Sequence, residues 1–209
     1  MKFGRLHVLT DFLFQQHYSH ETLARLAIEG GADVIQFRQK AGPIRHKLYA
    51  AHRTARVCAE GNVPLLINDH LDIVQAVEAQ GVHLGRTDFP IEDARRVLGP
   101  DAIIGGTGNT LKQAIQAWEE GADYVGFGPI YYSQSKANVA DIQGLSTLEE
   151  VCQTVTVPVI AIAGITADRV PDVLAAGAYG IAVMSAISTT EDPRAATRAF
   201  RDAIDRFLA

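Results

Sequence analysis

Three polar residues alternate along one short segment, and their side chains could bind an anion. Gln36, Arg38 and Lys40 are separated by single residues in the stretch VIQFRQK, which predicts a strand. Side chains two residues apart in a strand point to the same face, so all three would share one surface. Cations on a buried face need an anionic partner. The spacing therefore predicts an anion-binding face. The alternative is that Arg38 and Lys40 pair with acids of neighbouring strands, such as Asp69.

Two carboxylates follow neighbouring predicted strands and could bind a metal ion. Asp69 ends the stretch LLIND, and Asp88 ends the stretch HLGRTD. Mg²⁺ is usually bound by one or two carboxylates together with substrate phosphates and water. A magnesium site is one interpretation of the pair. The others are that Asp69 caps a helix beginning near Leu71, or that both carboxylates pair with Arg38 and Lys40.

A polar loop after the predicted sixth strand carries a possible phosphate site. It contains the run Ser133, Gln134, Ser135 and Lys136. Two hydroxyls and an ammonium within four residues could hold a phosphate. A solvated surface loop is the alternative interpretation.

A second phosphate position is indicated after the last two predicted strands. Gly164 follows the seventh strand, and Met184 and Ser185 follow the eighth. TIM barrels often bind phosphate at this place, through backbone N–H groups and a helix N-terminus.

The elements that must position these residues alternate regularly. Eight candidate strands, each followed by a helical pattern, begin near Leu6, Val34, Pro64, Gly81, Ala102, Tyr124, Val157 and Gly180. Eight βα units in about 200 residues predict a small α/β TIM (β/α)8 barrel, whose active site lies at the carboxyl ends of the strands. A doubly wound sheet is the alternative fold.

Local signals predict where several helices begin and end. Pro43 and Pro90 suit helix starts, and Gly61 and Gly99 suit the corresponding ends. The run Ser146–Glu149 matches a capping box and predicts a helix start. A weak repeat of Gly-Ala before three strands predicts structural joints at the opposite end of the barrel from the active site.

Composition excludes several classes of protein. The 209 residues are 47% hydrophobic and carry a net charge of −5, which argues against binding to nucleic acid or to a membrane surface. The longest apolar run, Val157–Ile165, is too short to span a bilayer, and no secretory signal is visible. Without linkers or low-complexity stretches, the chain is interpreted as one domain, residues 1–209.

The other reactive residue types predict packing rather than catalysis. Cys58 and Cys152 are far apart and have no Cys or His cluster near them, which argues against a disulfide framework or structural zinc and favours a cytoplasmic protein. His83 lies within a predicted strand and is expected to be packed or hydrogen-bonded.

Taken together, the sequence stretches resemble the thiamine phosphate synthase family. The matching stretches, in family order over nearly the whole chain, are IQFRQK, LINDHLD, GVHLGRTDFP, IIGGTGNT, GADYVGFGPIYYSQSK, QGL, VPVIAIAGIT and GIAVMSAI. The resemblance implies a TIM barrel that condenses hydroxymethylpyrimidine diphosphate with thiazole phosphate and releases pyrophosphate. It implies small phosphorylated substrates as the partners.

The resemblance also implies roles for individual residues. Those expected to hold the pyrimidine diphosphate are Gln36, Phe37, Arg38, Gln39, Lys40, Asn68, Thr107 and Lys136. Those expected to hold the thiazole phosphate are Ser133, Gln134, Ser135, Gly164, Met184 and Ser185. Asp69 and Asp88 would bind Mg²⁺. In the family the pyrophosphate leaves first, so Arg38, Lys40 and Lys136 would act catalytically by stabilising the leaving-group charge.

Several residues depart from the family pattern. His70 stands in place of arginine, Arg86 and Thr87 in place of Gln-Glu, Thr107 in place of serine, Asn109 in place of histidine, Ala140 in place of a basic or polar residue, and Ala163 in place of glycine. The expected magnesium and anion ligands are all present despite these changes.

Two other functions are compatible with the same barrel. Thiazole tautomerases of the superfamily use a histidine just after the sixth strand, where this chain has Pro129, which cannot act as acid or base. A non-catalytic sensor of thiamine phosphates would need no metal, so the presence of Asp69 and Asp88 argues against it. The sequence leaves the oligomeric state open.

Overall fold

The strands of the barrel are short and follow the predicted positions closely. The computed structural model describes residues 4–15, 17–133 and 141–209. The strands are β1 (Leu6–Asp11), β2 (Val34–Arg38), β3 (Leu65–Asn68), β4 (Gly81–Leu84), β5 (Ile103–Gly108), β6 (Tyr124–Phe127), β7 (Val159–Ile162) and β8 (Gly180–Val183). All neighbouring pairs are parallel, and β8 pairs with β1 to close the barrel. The predicted TIM barrel is therefore confirmed, and the doubly wound alternative is excluded.

Helices follow the strands and cover the outside of the barrel. Within the described residues they are α1 (His20–Gly30), α2 (Ile44–Glu60), α3 (Leu71–Val77), α4 (Ile91–Leu98), α5 (Leu111–Glu119), α6 (Gly144–Thr154), α7 (Val170–Ala175), α8 (Ser185–Ser188) and α9 (Pro193–Leu208). A single 3₁₀ turn, Ala167–Arg169, precedes α7. In the part of the chain that the structure describes, no helix is both long and apolar enough to cross a membrane.

Alternation along the strands separates two apolar layers. The larger layer lies between the strands and the helices and includes Ile35 and Phe37 of β2. The smaller layer fills the barrel interior and includes Val34 of β2 and Tyr124 of β6. Because side chains alternate, Gln36 shares the inward face of Val34. This alternation directs the polar residues at the carboxyl ends of the strands toward one mouth.

The predicted helix ends are correct in two cases and wrong in one. Pro43 and Gly61 flank α2, and Pro90 and Gly99 flank α4. The capping box at Ser146 is wrong as a helix start, because α6 begins two residues earlier, at Gly144. Gln143 takes the N-cap position there without a capping hydrogen bond from its side chain.

The Gly-Ala joints are structural, as predicted. Gly31 has φ of 101° and ends α1 in the left-handed region, which glycine adopts without a Cβ clash. Asp33 follows it, and one of its carboxylate oxygens accepts hydrogen bonds from the backbone N–H groups of Arg5 (2.8 Å) and Leu6 (2.9 Å). These contacts tie β1 to β2 at the amino end of the barrel, opposite the mouth.

Candidate active site

A cavity of about 760 Å³ opens at the carboxyl ends of the strands. Its lining comes from both sides of the barrel. The residues are Leu9, Phe14, Arg38, Asn109, Pro129, Tyr132, Ser133, Ile162, Ala163, Gly164, Ile165, Thr166, Arg169, Ala182, Val183, Met184, Ser185, Ala186 and Thr189. A larger cavity, of about 1110 Å³, lies at the amino end of the barrel around Arg5 and Arg201, away from these residues. Volume alone therefore does not identify the site.

Arg38 is held at the mouth by a carboxylate that the sequence analysis did not single out. Asp11, the last residue of β1, is almost fully buried and forms an ion pair with Arg38. Its other carboxylate oxygen accepts the backbone N–H of Leu13 at 2.8 Å. Burial lowers the pKa of the Arg38 guanidinium, and the nearby charge of Asp69 opposes that shift. Asp11 could have been found by extending the search for polar strand ends to the first strand.

Lys40 forms the ion pair that the sequence analysis gave as an alternative. Its ammonium contacts the carboxylate of Asp69, and its side chain is 45% exposed. Asn68 is buried beside the pair, and its side-chain amide donates to the other carboxylate oxygen of Asp69. An ion pair of this kind at a wide mouth does not prevent anion binding, because the lysine is still open to solvent.

Asp69 and Asp88 contact each other, as ligands of one cation would. The pKa of Asp69 is raised, first by burial and then by its hydrogen bond with Asp88, while Lys40 opposes the shift. Burial acts against ionisation of Asp88 as well, but hydrogen bonds from Asp69 and from the Gly85 N–H lower its pKa. Two carboxyl groups that share a proton in this way could instead share a cation, which would stabilise both in the ionised form. The donor set therefore fits Mg²⁺, which takes one or two carboxylates and completes its shell with phosphates and water.

The structure also bears on the alternative that Asp69 caps the helix that begins near Leu71. Helix α3 has His70, not Asp69, at its N-cap position, and the His70 side chain makes no capping hydrogen bond. Asp69 itself has φ of 69°, a left-handed conformation that aspartate tolerates better than most residues. Among the described residues, no group of three or more His, Cys, Asp or Glu side chains is arranged to hold a metal.

Beneath the mouth, a hydrogen-bonded network crosses the barrel interior. The His83 ring lies 2.9 Å from the Tyr124 hydroxyl through Nδ1 and 2.9 Å from the Thr107 hydroxyl through Nε2. Tyr124 also bonds to the side chain of Gln36, and burial raises the pKa of its hydroxyl. The expectation that His83 is hydrogen-bonded is confirmed. The interior position of Tyr124 was missed, and strand alternation is the signal that could have revealed it.

This network lines a small cavity of about 30 Å³ at the base of the mouth. Gly105 makes room for the Tyr124 ring, because a Cβ at that position would lie only 2.1 Å from a ring carbon. The small cavity adjoins the 760 Å³ cavity, because Asn109, Ile162 and Ala182 line both. A flat heterocycle could enter from the mouth and meet these hydrogen-bonding groups.

Phe37 and Gln39, two of the residues predicted to bind the diphosphate, have side chains that point away from the mouth. The Phe37 side chain is buried between β2 and the helices, with its ring centroid 4.4 Å from that of His20. Gln39 bonds to His20 on the same side of the strand. Since alternation turns both side chains away from the mouth, only their backbone could contact a ligand there.

The opposite side of the mouth is formed by the loops after β6, β7 and β8. Gly164 and Ala163 are consecutive residues with positive φ, 67° and 80°. Gly164 lies so close to the next loop that a Cβ would be 2.5 Å from the Tyr132 carbonyl oxygen. Met184 precedes α8, which begins at Ser185. Gly164, Met184 and Ser185 therefore share one wall of the 760 Å³ cavity.

Arg169 adds a cation to this wall that the sequence analysis did not identify. Its guanidinium donates to the Gly164 carbonyl at 2.7 Å and lies 4.5 Å from the centre of the Tyr131 ring. The contacts join the loop after β7 to the loop after β6. Ser133 lines the same cavity, whereas the predicted Gln134, Ser135 and Lys136, together with Ala140, lie outside the described residues.

Comparison with known proteins gives consistent matches along the chain. A family described as thiamine monophosphate synthase matches residues 8–187. The thiamine-phosphate synthase of Salinibacter ruber is 58% identical over 205 residues, covering 98% of this chain and 90% of the relative. That of Methanocella arvoryzae is 42% identical over 202 residues, covering 97% of this chain and 95% of the relative.

Solved structures agree with these sequence matches. The thiamine phosphate pyrophosphorylase of Pyrococcus furiosus superposes with a TM-score of 0.89 at 35% identity, covering 98% of this chain and 97% of that one. A 3-hexulose-6-phosphate synthase superposes with a TM-score of 0.69 at 20% identity, covering 95% of this chain and 99% of that one, and shares the fold alone.

Proposed function

Because the chain belongs to the thiamine monophosphate synthase family of thiamine-biosynthetic transferases, we propose that it condenses hydroxymethylpyrimidine diphosphate with thiazole phosphate, with Mg²⁺ as its metal ion. The products are thiamine phosphate and pyrophosphate. The observation that carries the proposal is the meeting of Arg38, Lys40 and the Asp69–Asp88 pair at the barrel mouth. An anion and a divalent cation would both find partners there.

The diphosphate half-site is assigned to the loops after β2, β3 and β4. Arg38 and Lys40 would bind the phosphate oxygens, and Asp69 and Asp88 would hold Mg²⁺. When bound, the metal neutralises charge on the phosphates and on the leaving pyrophosphate. Asn68 would keep Asp69 oriented, since its amide already donates to that carboxylate. Lys136 would add a further positive charge.

The pyrimidine ring is assigned to the base of the mouth. Gln36 and Thr107 present hydrogen-bonding groups around the small interior cavity. His83 and Tyr124 would hold them in place through the network described above. Ring binding there would leave the exocyclic methylene carbon facing the wider part of the cavity.

The thiazole phosphate half-site is assigned to the opposite wall. Its phosphate would accept hydrogen bonds from backbone groups at Gly164 and Ser185, with Met184 beside them and Ser133, Gln134 and Ser135 contributed by the loop after β6. Barrels commonly bind phosphate after the seventh and eighth strands. The thiazole nitrogen would then face the pyrimidine across the cavity.

The proposed reaction proceeds in two bond changes. The bond between the pyrimidine methylene carbon and the diphosphate oxygen breaks, and its electron pair leaves with the pyrophosphate. The lone pair of the thiazole nitrogen then forms the new bond to the methylene carbon. Arg38, Lys40 and Lys136 would stabilise the negative charge that develops on the leaving group. Neither change requires a general base.

The competing functions find less support at the same mouth. Pro129 lines the cavity at the position where a tautomerase would use histidine, and its side chain cannot transfer a proton. A sensor without a metal would have no use for two contacting carboxylates.

We also propose a cytoplasmic location, in keeping with the two unpaired cysteines, Cys58 and Cys152.

The proposal is tested by incubating the purified protein with both substrates, with and without Mg²⁺, and assaying thiamine phosphate by chromatography. We expect stoichiometric thiamine phosphate and pyrophosphate that depend on the metal. Thiazole tautomerisation is assayed in parallel. Tautomerisation above background without any condensation would overturn the proposal in favour of the tautomerase.

A further inference from the structure

Lys47 is a buried lysine next to the diphosphate half-site. It lies in the first turn of α2 and is only 7% exposed. Its ammonium donates to the backbone carbonyl of Lys40 at 3.0 Å and lies 3.1 Å from Nε2 of His70. Both contacts are with loops that carry groups of the site, since His70 directly follows Asp69.

The partners of this ammonium are electrically neutral. A lysine ammonium only donates hydrogen bonds, so Nε2 of His70 must accept and the ring proton must be on Nδ1. That side of the ring faces Asp72, whose carboxylate oxygen is 3.7 Å away. Within residues 4–15, 17–133 and 141–209, Lys47 forms no ion pair with a carboxylate. A buried ammonium with neutral partners is costly, which calls for an explanation of why it is there.

The two hydrogen bonds connect the loop after β2 to the loop after β3. The first loop carries Lys40 and the second carries Asp69, and these two side chains form the ion pair at the mouth. We propose that Lys47 is a positioning residue of the diphosphate half-site, holding these loops in register and supplying a buried positive charge that the diphosphate balances. This inference rests on the proposed function for the identity of the anion.

The charge and the position predict an effect on one substrate only. Lys47 is on the side of the barrel that carries β2 and β3, whereas the thiazole phosphate wall is formed by residues after β6, β7 and β8. An anion in the diphosphate half-site would meet Arg38, Lys40 and the field of Lys47 together. Loss of Lys47 should weaken binding of diphosphate and pyrophosphate and leave binding of thiazole phosphate unchanged.

The test uses Lys47→Met, which keeps the length and packing of the side chain and removes its charge and donors. Lys112→Met is the matched control, because Lys112 is exposed on α5. Calorimetry measures the affinity of pyrophosphate in the presence of Mg²⁺, and steady-state kinetics give the KM of each substrate. We expect pyrophosphate affinity to fall about tenfold and the KM for the pyrimidine diphosphate to rise similarly, because the variant loses a nearby buried charge and the link between the two loops.

The KM for thiazole phosphate should stay within a factor of about two of the wild type. If Lys47 only stabilised the fold, its loss would lower the fraction of folded, active enzyme and therefore kcat. The KM values of the two substrates would then not change relative to each other. Lys47→Arg, which keeps the positive charge, should recover most of the pyrophosphate affinity. If Lys47→Met does not fold, Lys47→Gln takes its place, since its amide still donates hydrogen bonds and carries no charge.

Equal pyrophosphate affinity in the wild type and the charge-free variant would overturn the inference, as would equal rises in both KM values. This outcome is distinct from failure of the proposed function. A wild-type protein that binds magnesium pyrophosphate but makes no thiamine phosphate would contradict the function, while the role of Lys47 would still be decided by the binding measurement.

Discussion

At the scale of single residues, Asp11 is buried and forms the ion pair that holds Arg38 at the mouth. It is 1% exposed, and its carboxylate is divided between Arg38 and the backbone N–H of Leu13. At the proposed diphosphate site, Arg38 would need a defined orientation, since the planar guanidinium matches phosphate oxygens only in a few orientations. Asp11 therefore belongs with the groups that prepare the site before any ligand enters.

We expect Asp11→Asn to lower kcat/KM for the pyrimidine diphosphate at least tenfold. The amide keeps an oxygen for the Leu13 N–H but leaves the Arg38 charge unbalanced. Breaking a buried ion pair costs roughly 3 kcal/mol of unfolding free energy, so urea denaturation should show the loss directly. Glu60→Gln, in an exposed pair with Arg25, is the control and should change neither quantity. Unaltered kinetics in Asp11→Asn would contradict this role.

Ala163 is strained by its backbone conformation. Its φ of 80° lies in the left-handed region, where a Cβ costs about 1–3 kcal/mol. Glycine removes that strain but loses roughly 0.5–1 kcal/mol through the flexibility of the unfolded chain. Ala163→Gly should therefore raise the unfolding free energy by about 1 kcal/mol.

The control for that prediction is Ala176→Gly. Ala176 has φ of −71°, which alanine adopts without strain, so glycine should only destabilise there. Urea denaturation of both variants gives the comparison. A loss of stability in Ala163→Gly equal to that in Ala176→Gly would show that the position is not strained.

At the scale of elements, the βα loops bring together residues that are distant in the chain. Asp69 follows β3 and Asp88 follows β4, and their carboxylates meet because the two strands are neighbours in the barrel. Each loop alone would be an ordinary acidic turn. The strand pairing brings the two carboxylates together as a candidate site for a cation.

Replacing one of these carboxylates should separate metal binding from binding of the second substrate. We expect Asp88→Ala to weaken the binding of Mg²⁺ with pyrophosphate at least tenfold and to lower turnover strongly. Affinity for thiazole phosphate alone should be unchanged. Asp93→Ala, in an exposed pair with Arg96 on α4, is the control. Calorimetry measures the affinity for Mg²⁺ with pyrophosphate and, separately, for thiazole phosphate. A metal affinity equal to that of the wild type would exclude Asp88 as a ligand.

The sequence predicted elements well where the signal is local. Strand starts fall within two residues of the observed ones, because short apolar runs bounded by turns are local features. The prediction that a helix starts at Ser146 was wrong because a local motif does not show where the chain first enters the helix. Residues Ser146–Glu149 match the motif, but the chain already enters α6 at Gly144, so the motif lies inside the helix.

The positions of candidate site residues were predictable at strand ends, and less so elsewhere. Arg38 follows from strand alternation, and Asp69 and Asp88 follow from the expectation that a barrel is active at the carboxyl ends of its strands. Lys47 carries a signal of its own, since it falls at helical spacing with the buried Ala51 of α2. Arg169 has no such signal in the sequence, because its position depends on how the loop after β7 folds against Tyr131.

For the whole molecule, two buried histidines should make stability depend on pH. Burial lowers the pKa of His7 and of His20 from 6.5 to about 4. Between these values the unfolded chain binds protons that the folded chain does not. Stability is therefore greatest above pH 6.5 and falls as the pH drops toward 4, by roughly 2 kcal/mol per histidine between pH 7 and pH 5.

Urea denaturation at pH 7 and at pH 5 tests this dependence. His20→Gln removes one titrating group, so its loss of stability over that interval should be smaller than that of the wild type by about 2 kcal/mol. His46→Gln, at an exposed position of α2, should behave like the wild type. The same pH dependence in all three proteins would show that His20 does not contribute.

The pairing of β1 with β8 has a consequence for how the protein is made. Leu6 and Ile181 are register partners, so the ring is sealed by pairing the first strand of the barrel to be synthesised with the last. Until Gly180–Val183 emerges, the nascent sheet has two open edges with unpaired backbone groups, which invite pairing with other chains. Ser185 emerges directly afterwards. Protection from edge-to-edge association and completion of the proposed phosphate wall thus both depend on synthesis of the same strand, β8.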